Sequence, residues 1–165
     1  MTTEVRIPTP TAEINSQPIA RQPIVRPAST SRTLPRLGRL AIVLEIFLGI
    51  GALFGGIQFI LAPDGHLLGV SLSMLTGTPF QSFLVPGLLL FTFVGLGPMV
   101  AAALTARRRA VGPLAAFAVG LTLMVWITVE MVIFAGVTSL FWAFYLVLGT
   151  VIVAVGVAWS RTTGR

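Results

Sequence analysis

Four apolar runs between Leu40 and Trp159 constrain this chain more than any other feature in it. A helix needs about 20 residues to cross the hydrocarbon core of a bilayer, and the runs over 40–62, 83–106, 113–135 and 139–159 are all long enough. Hydrocarbon offers the backbone no hydrogen-bond partner, so a run of this length must satisfy its own amides as a helix. Composition agrees: 10% of the residues are charged and 55% are hydrophobic, where soluble domains carry about 25% charged. The expectation is an all-α membrane protein, a four-helix transmembrane bundle over 40–159. A loop over 63–82 lies outside the membrane, and a short tail covers 160–165.

Residues 1–39 differ in kind. They hold Pro8, Pro10, Pro18, Pro23, Pro27 and Pro35, several arginines and no sustained apolar period. Such a segment buries too little apolar surface to offset its ordering entropy. It reads as a disordered, partly polyproline-like N-terminal tail on the cytoplasmic side. A five-residue tandem repeat, Gln17 to Arg21 followed by Gln22 to Arg26, lies within it. No apolar run precedes Leu40, so the first span is expected to act as an uncleaved signal anchor. Arginines beside the inner leaflet attract anionic lipid at roughly 1 kcal/mol each, which makes anionic lipid an expected partner of the tail. Nucleic acid is not expected, because the arginines are sparse and no aromatic residue lies among them.

The arginines also orient the spans, since short Arg-rich loops stay in the cytoplasm. Arg32, Arg36 and Arg39 precede the first span, Arg107, Arg108 and Arg109 separate the second from the third, and Arg161 and Arg165 follow the fourth. The other two loops contain none. An even number of spans with every arginine on one side places both termini in the cytoplasm, in a multi-pass protein of the cytoplasmic membrane. Trp142 and Tyr145 at the outer end of the fourth span and Trp159 at its inner end fit aromatic belts.

Packing signals follow. Gly51 and Gly55 form a small-xxx-small pair flanked by Gly49 and Gly56, which suits close helix approach within the bundle or in a homo-oligomer. Pro98, beside Gly95 and Gly97, predicts a kink near the carbonyl of Val94. In the outer loop Leu68, Leu72 and Leu75 fall at helical spacing, predicting one short helix on the membrane surface or capping the bundle, as a plain connector or as a lid.

The residue inventory narrows the chemistry. There is no Cys, which removes disulfides and thiolate metal sites. All eleven basic residues are Arg, and His66 is the single histidine, so no lysine Schiff base is available and the scattered carboxylates show no metal-ligand spacing. No cofactor and no catalytic residue is expected. An acid inside a span is costly enough to need a reason. Glu45 lies near the inner end of the first span and is expected to pair with Arg36 or Arg39 at the interface. Glu130 lies near the outer end of the third span with Trp126 one turn before it. At 1.5 Å per residue the two acids differ in depth by well over ~10 Å, so they cannot form a dyad. Gln58, Asp64, His66 and Gln81 reach the outer level and, with Trp126 and Glu130, make the candidate polar site. Helix–helix glue, a ligand or lipid pocket and a proton-coupled step all remain open for it.

The segments from Asp64-Gly65 through Thr76-Gly77-Thr78-Pro79-Phe80, Phe83-Leu84-Val85-Pro86-Gly87, Gly95-Leu96-Gly97-Pro98, the Arg107 triplet and Trp126-Ile127-Thr128-Val129-Glu130 carry a resemblance. Over about residues 40–159 the chain resembles small four-span integral membrane proteins of bacteria. The use of Arg without Lys, with abundant Ala, Gly and Val, suggests a high-GC, actinobacterial genome. The resemblance implies an architecture and supplies no activity, cofactor or catalytic residue. The functional expectation is a non-enzymatic structural or interaction component of the membrane. The alternative is a small transporter or a ligand- or lipid-binding protein using an outer pocket around Glu130.

Overall fold

A computed structural model describes residues 34–107, 109–133 and 140–163. Within them the chain forms four long helices: α1 (Arg36–Leu61), α2 (Leu84–Arg107), α3 (Gly112–Ile133) and α4 (Leu140–Thr163). Each is long and apolar enough to cross a membrane, and no strand occurs among the described residues. The protein is thus an all-helical membrane protein. Residues 1–33 of the tail read over 1–39, and the link between α3 and α4, lie outside the described residues.

The helices run up and down in sequence, α1 against α2 and α4, and α3 against α4 and α2. Large apolar side chains such as Val43, Leu61, Leu114 and Val132 point outward, exposed, as lipid-facing positions do. Thr128 and Thr150, also exposed, donate their hydroxyls to the carbonyls of Met124 and Leu146 one turn back, each at 2.8 Å. A hydroxyl satisfied on its own helix can face hydrocarbon.

Interiors of membrane bundles gain little from expelling water and are held by close packing, which favours small residues where helices cross. Here the crossings run nearly backbone to backbone. A Cβ on Gly56 would sit 2.8 Å from the Phe91 nitrogen, and one on Gly120 would sit 2.8 Å from the Gly149 oxygen and the Val153 nitrogen. A Cβ on Gly156 would lie 2.8 Å from the Phe117 nitrogen. Gly49 and Gly56 carry the α1–α2 crossing, with Gly95 against Leu53 from the other side. Gly51 and Gly55, the pair picked from the sequence, meet Tyr145 and Leu90 only at ordinary distances of 3.7 and 3.6 Å.

The helix α1 starts at Arg36 rather than Leu40, so Arg36 and Arg39 are helical and not tail. Pro35 suits the boundary because it has no N–H to satisfy. Leu37 packs against the core, and Gly38 lies under the ring of Trp159, where a Cβ would stand 3.0 Å away. Trp159 is 1% exposed. It is a core residue, wedged over Gly38 and Gly112, and not the interfacial belt residue read from its position at the end of a span.

In α2 the disturbance attributed to Pro98 takes the form of a π-helical turn over Leu90–Leu96. Pro98 has no N–H for the Val94 carbonyl, and the Gly97 N–H bonds to Thr92, five residues back. Widened turns of this kind recur where a helix is reshaped around a site.

The connector between α1 and α2 is not one short helix. Two 3₁₀ turns, His66–Leu68 and Leu72–Leu75, are separated at Gly69, whose φ of +67° breaks the helical path. Leu75 alone of the three spaced leucines is buried. The connector is pinned at both ends by the Phe83 amide bonding the Pro63 carbonyl at 2.8 Å and by Phe59 stacked on Phe83 at 4.9 Å. Thr78 ties its last turn, donating to the Leu75 carbonyl at 2.7 Å and accepting from the Phe80 amide at 3.2 Å.

Candidate functional site

The half of the bundle beneath this connector does not fill. A cavity of about 710 Å³ opens there, within the range of small-molecule sites. Its floor is Leu48, Val94 and Leu123 at mid-bundle. From α1 come Gly51, Phe54, Gly55 and Phe59, and from α2 come Pro86, Leu89 and Leu90, which enters the π-helical turn. Trp126, Ile127 and Glu130 line it from α3, with Phe141, Trp142 and Tyr145 from α4. The connector closes it with Leu68, Val70, Met74 and Phe80, which makes the loop a cover over the cavity as well as a link. Phe54 and Phe141 line the cavity and are still 67% and 56% exposed. The rim between α1 and α4 therefore meets the lipid-facing surface.

Aromatic rings from α1, α3, α4 and the connector contribute to the walls, and several brace one another. Tyr145 lies 4.5 Å from Phe141 and 5.1 Å from Phe144, and Phe144 is edge-on to Phe47 at 6.5 Å. Into this apolar space projects one carboxyl. The Trp126 indole N–H donates to Glu130 Oε1 at 2.7 Å, from one turn earlier on the same helix face. Trp142 from α4 is a second hydrogen-bonding neighbour, and Tyr145 lies close enough to feel the carboxylate charge. Among the described residues no arginine or histidine lines the cavity.

Of the polar group assembled from the sequence, the fold brings Trp126 and Glu130 together and sends the rest elsewhere. Asp64 and His66 form their own pair, Oδ1 to Nδ1 at 2.7 Å, with both side chains more than half exposed. The histidine ring and amide hold the Asp64 carboxyl below the usual carboxylate range. Gln58 donates to the Phe54 carbonyl at 3.3 Å, and Gln81 is exposed. Phe54, Phe59, Phe141, Trp142 and Tyr145 are among the lining residues that the sequence did not assign to the site. The signal available was Phe141, Trp142 and Tyr145 clustered on α4, joined by a short link to the helix carrying Glu130.

Glu45 departs from expectation in the other direction. It is wholly buried, and neither carboxyl oxygen has a hydrogen-bond partner, while Arg36 and Arg39 are exposed. The ion pair is excluded by helix geometry. At about 100° per residue, Arg36 lies on the opposite side of α1 from Glu45, and Arg39 lies about 120° around it. Thr105 of α2 is a second polar side chain buried completely at this end, and its hydroxyl is likewise unpartnered.

Among the described residues no group of three or more His, Asp or Glu side chains converges. Of the arginine triplet, Arg107 closes α2 and Arg109 opens a 3₁₀ turn, while Arg108 lies outside the described residues. No family model, curated protein or solved structure matches the chain. What this membrane protein does must be read from the aromatic cavity and its single carboxyl.

Proposed function

We propose that the protein is a ligand-binding component of the cytoplasmic membrane that takes an apolar or amphiphilic molecule from the bilayer into the cavity beside Glu130. The observation that carries this reading is the cavity of about 710 Å³ walled by aromatic side chains, with one carboxyl aimed into it. A purely structural bundle has no reason to leave such a space, since each lost packing contact weakens it. The exposed Phe54 and Phe141 at the rim favour entry from the lipid side. Binding is favoured over catalysis because Glu130 and Tyr145 are the only titratable groups lining the cavity among the described residues. Transport is the second reading, favoured by the π-helical turn that α2 contributes to the wall.

The arginine distribution supports an orientation with both termini cytoplasmic, which places the connector and the cavity mouth on the outer side. The chain has no native Cys, so a single Cys at Ser73, exposed in the connector, reports its side directly. Labelling from outside intact cells is expected; labelling only from the cytoplasm overturns the orientation.

The binding test is saturable uptake of a neutral hydrophobic fluorophore, N-phenyl-1-naphthylamine, by the purified protein in nanodiscs. Filling the cavity with Gly55→Phe is expected to abolish the saturable part. Binding equal to that of empty nanodiscs would overturn the reading.

A further inference from the structure

The electrostatics of the cavity go further than its shape. A carboxylate removed from water needs a counter-charge or several hydrogen bonds, or it stays protonated. Glu130 has the Trp126 indole on one oxygen at 2.7 Å and Trp142 nearby. Among the described residues, the groups that line the cavity supply no positive charge. From α4 the titratable neighbour is Tyr145, itself neutral or negative, and neither α1 nor α2 contributes an ionisable group to the lining. The connector's ionisable pair, Asp64 and His66, is turned to solvent. Residues 134–139 contain no ionisable residue in their sequence. Among the described residues nothing at the cavity supplies a counter-charge to this carboxyl, so a counter-charge must arrive with the ligand.

The walls suit such a ligand. Trp126, Trp142, Tyr145, Phe54, Phe59 and Phe141 line one space, and an aromatic face attracts a cation through its quadrupole, more strongly where water is excluded. We propose that the cavity takes a hydrophobic organic cation, held between the aromatic rings and the Glu130 carboxylate, in exchange for the proton that Glu130 carries when the cavity is empty. The exchange balances: the carboxylic acid loses one proton to water, the O–H bond breaks, and the cation pairs with the carboxylate so formed. No redox partner or further reactant is involved. This inference rests on the reading of the cavity as a ligand site and adds the charge class of the ligand and its coupling to protons.

The test uses the full chain in nanodiscs with two probes, tetraphenylphosphonium and neutral N-phenyl-1-naphthylamine. Tetraphenylphosphonium is expected to bind saturably, to tighten by about tenfold per pH unit while Glu130 is protonated in the free protein, and to release one proton per cation in weakly buffered solution. Glu130→Gln is expected to weaken the cation by about tenfold or more relative to the neutral probe and to remove the pH dependence. Proton release by the unmodified protein keeps the test decisive if that variant does not fold. Neutral-probe binding together with cation binding that is pH-independent, releases no proton and ignores Glu130→Gln would overturn this inference and leave the ligand cavity standing. Saturable binding of neither probe would overturn both.

Discussion

Where α1 begins and α4 ends, Gly38, Gly112 and Gly156 let backbones and the ring of Trp159 interlock, and Ala41, Ala101, Ala102 and Ala116 fill what remains. At the connector end of the same four helices, Phe54, Phe59, Trp126, Trp142 and Tyr145 stand around about 710 Å³ of space. Small side chains let helices approach closely, whereas large rings hold them apart and cannot interdigitate in every direction. Each half also contains one acid. Glu45 is sealed into the tight half without a partner, and Glu130 sits at the wall of the open half with an indole on one oxygen. Their depth in the bundle assigns one to the packed core and the other to an accessible site.

The contrast is broken most severely at the α3–α4 crossing. Gly120→Leu forces a side chain into the Gly149 and Val153 backbone and is expected to cost about 3 kcal/mol or more, read as a large fall in thermal midpoint in detergent. Gly51→Leu, facing the cavity at 3.7 Å from Tyr145, should cost well under about 1 kcal/mol. Equal costs would erase the distinction between the halves.

Glu130→Ala comes next. It leaves the Trp126 N–H without its acceptor in an apolar wall, for an expected loss of about 1–3 kcal/mol. Trp126 fluorescence in a variant lacking the other two tryptophans reports the change in its surroundings. Glu45→Met works in the opposite sense. Replacing an unpartnered buried carboxyl by an apolar side chain of similar length is expected to stabilise the protein by about 1–2 kcal/mol, visible as a raised midpoint.

The smallest effect belongs to Asp64. His66 lowers its folded pKa, so the pairing favours the folded state at neutral pH, and that contribution fades as pH falls through the carboxylate range. Both partners are exposed. Asp64→Asn should therefore leave the midpoint unchanged at neutral pH within error and slightly flatten its fall in acid. A large loss at neutral pH would show that the pair anchors the connector.

The comparison also marks what could be read from residue order. The spacing of Trp126 and Glu130 at one turn placed them on one face, because i and i+4 on a helix meet whatever surrounds it. The same rule, applied to Glu45, places Arg36 and Arg39 on other faces; proximity along the chain did not mean proximity in space. Asp64 and His66 share a depth with Glu130 but not a direction, since Gly65 and Gly69 at positive φ fold the connector so that this pair faces solvent. Gly51 and Gly55 carry a motif that fits a helix crossing, yet α1 is rotated so that Gly49 and Gly56 meet α2.

By itself the sequence determined the class of the protein and its four apolar spans. Those are properties of length and local composition, and a bilayer reads them without reference to neighbours. Only the tertiary structure decided that Trp159 is core, that Glu45 is sealed and that Glu130 faces a cavity. Each depends on the rotation of a helix about its axis. That rotation is set jointly by close contacts between helices far apart in sequence, and nothing within one span fixes it.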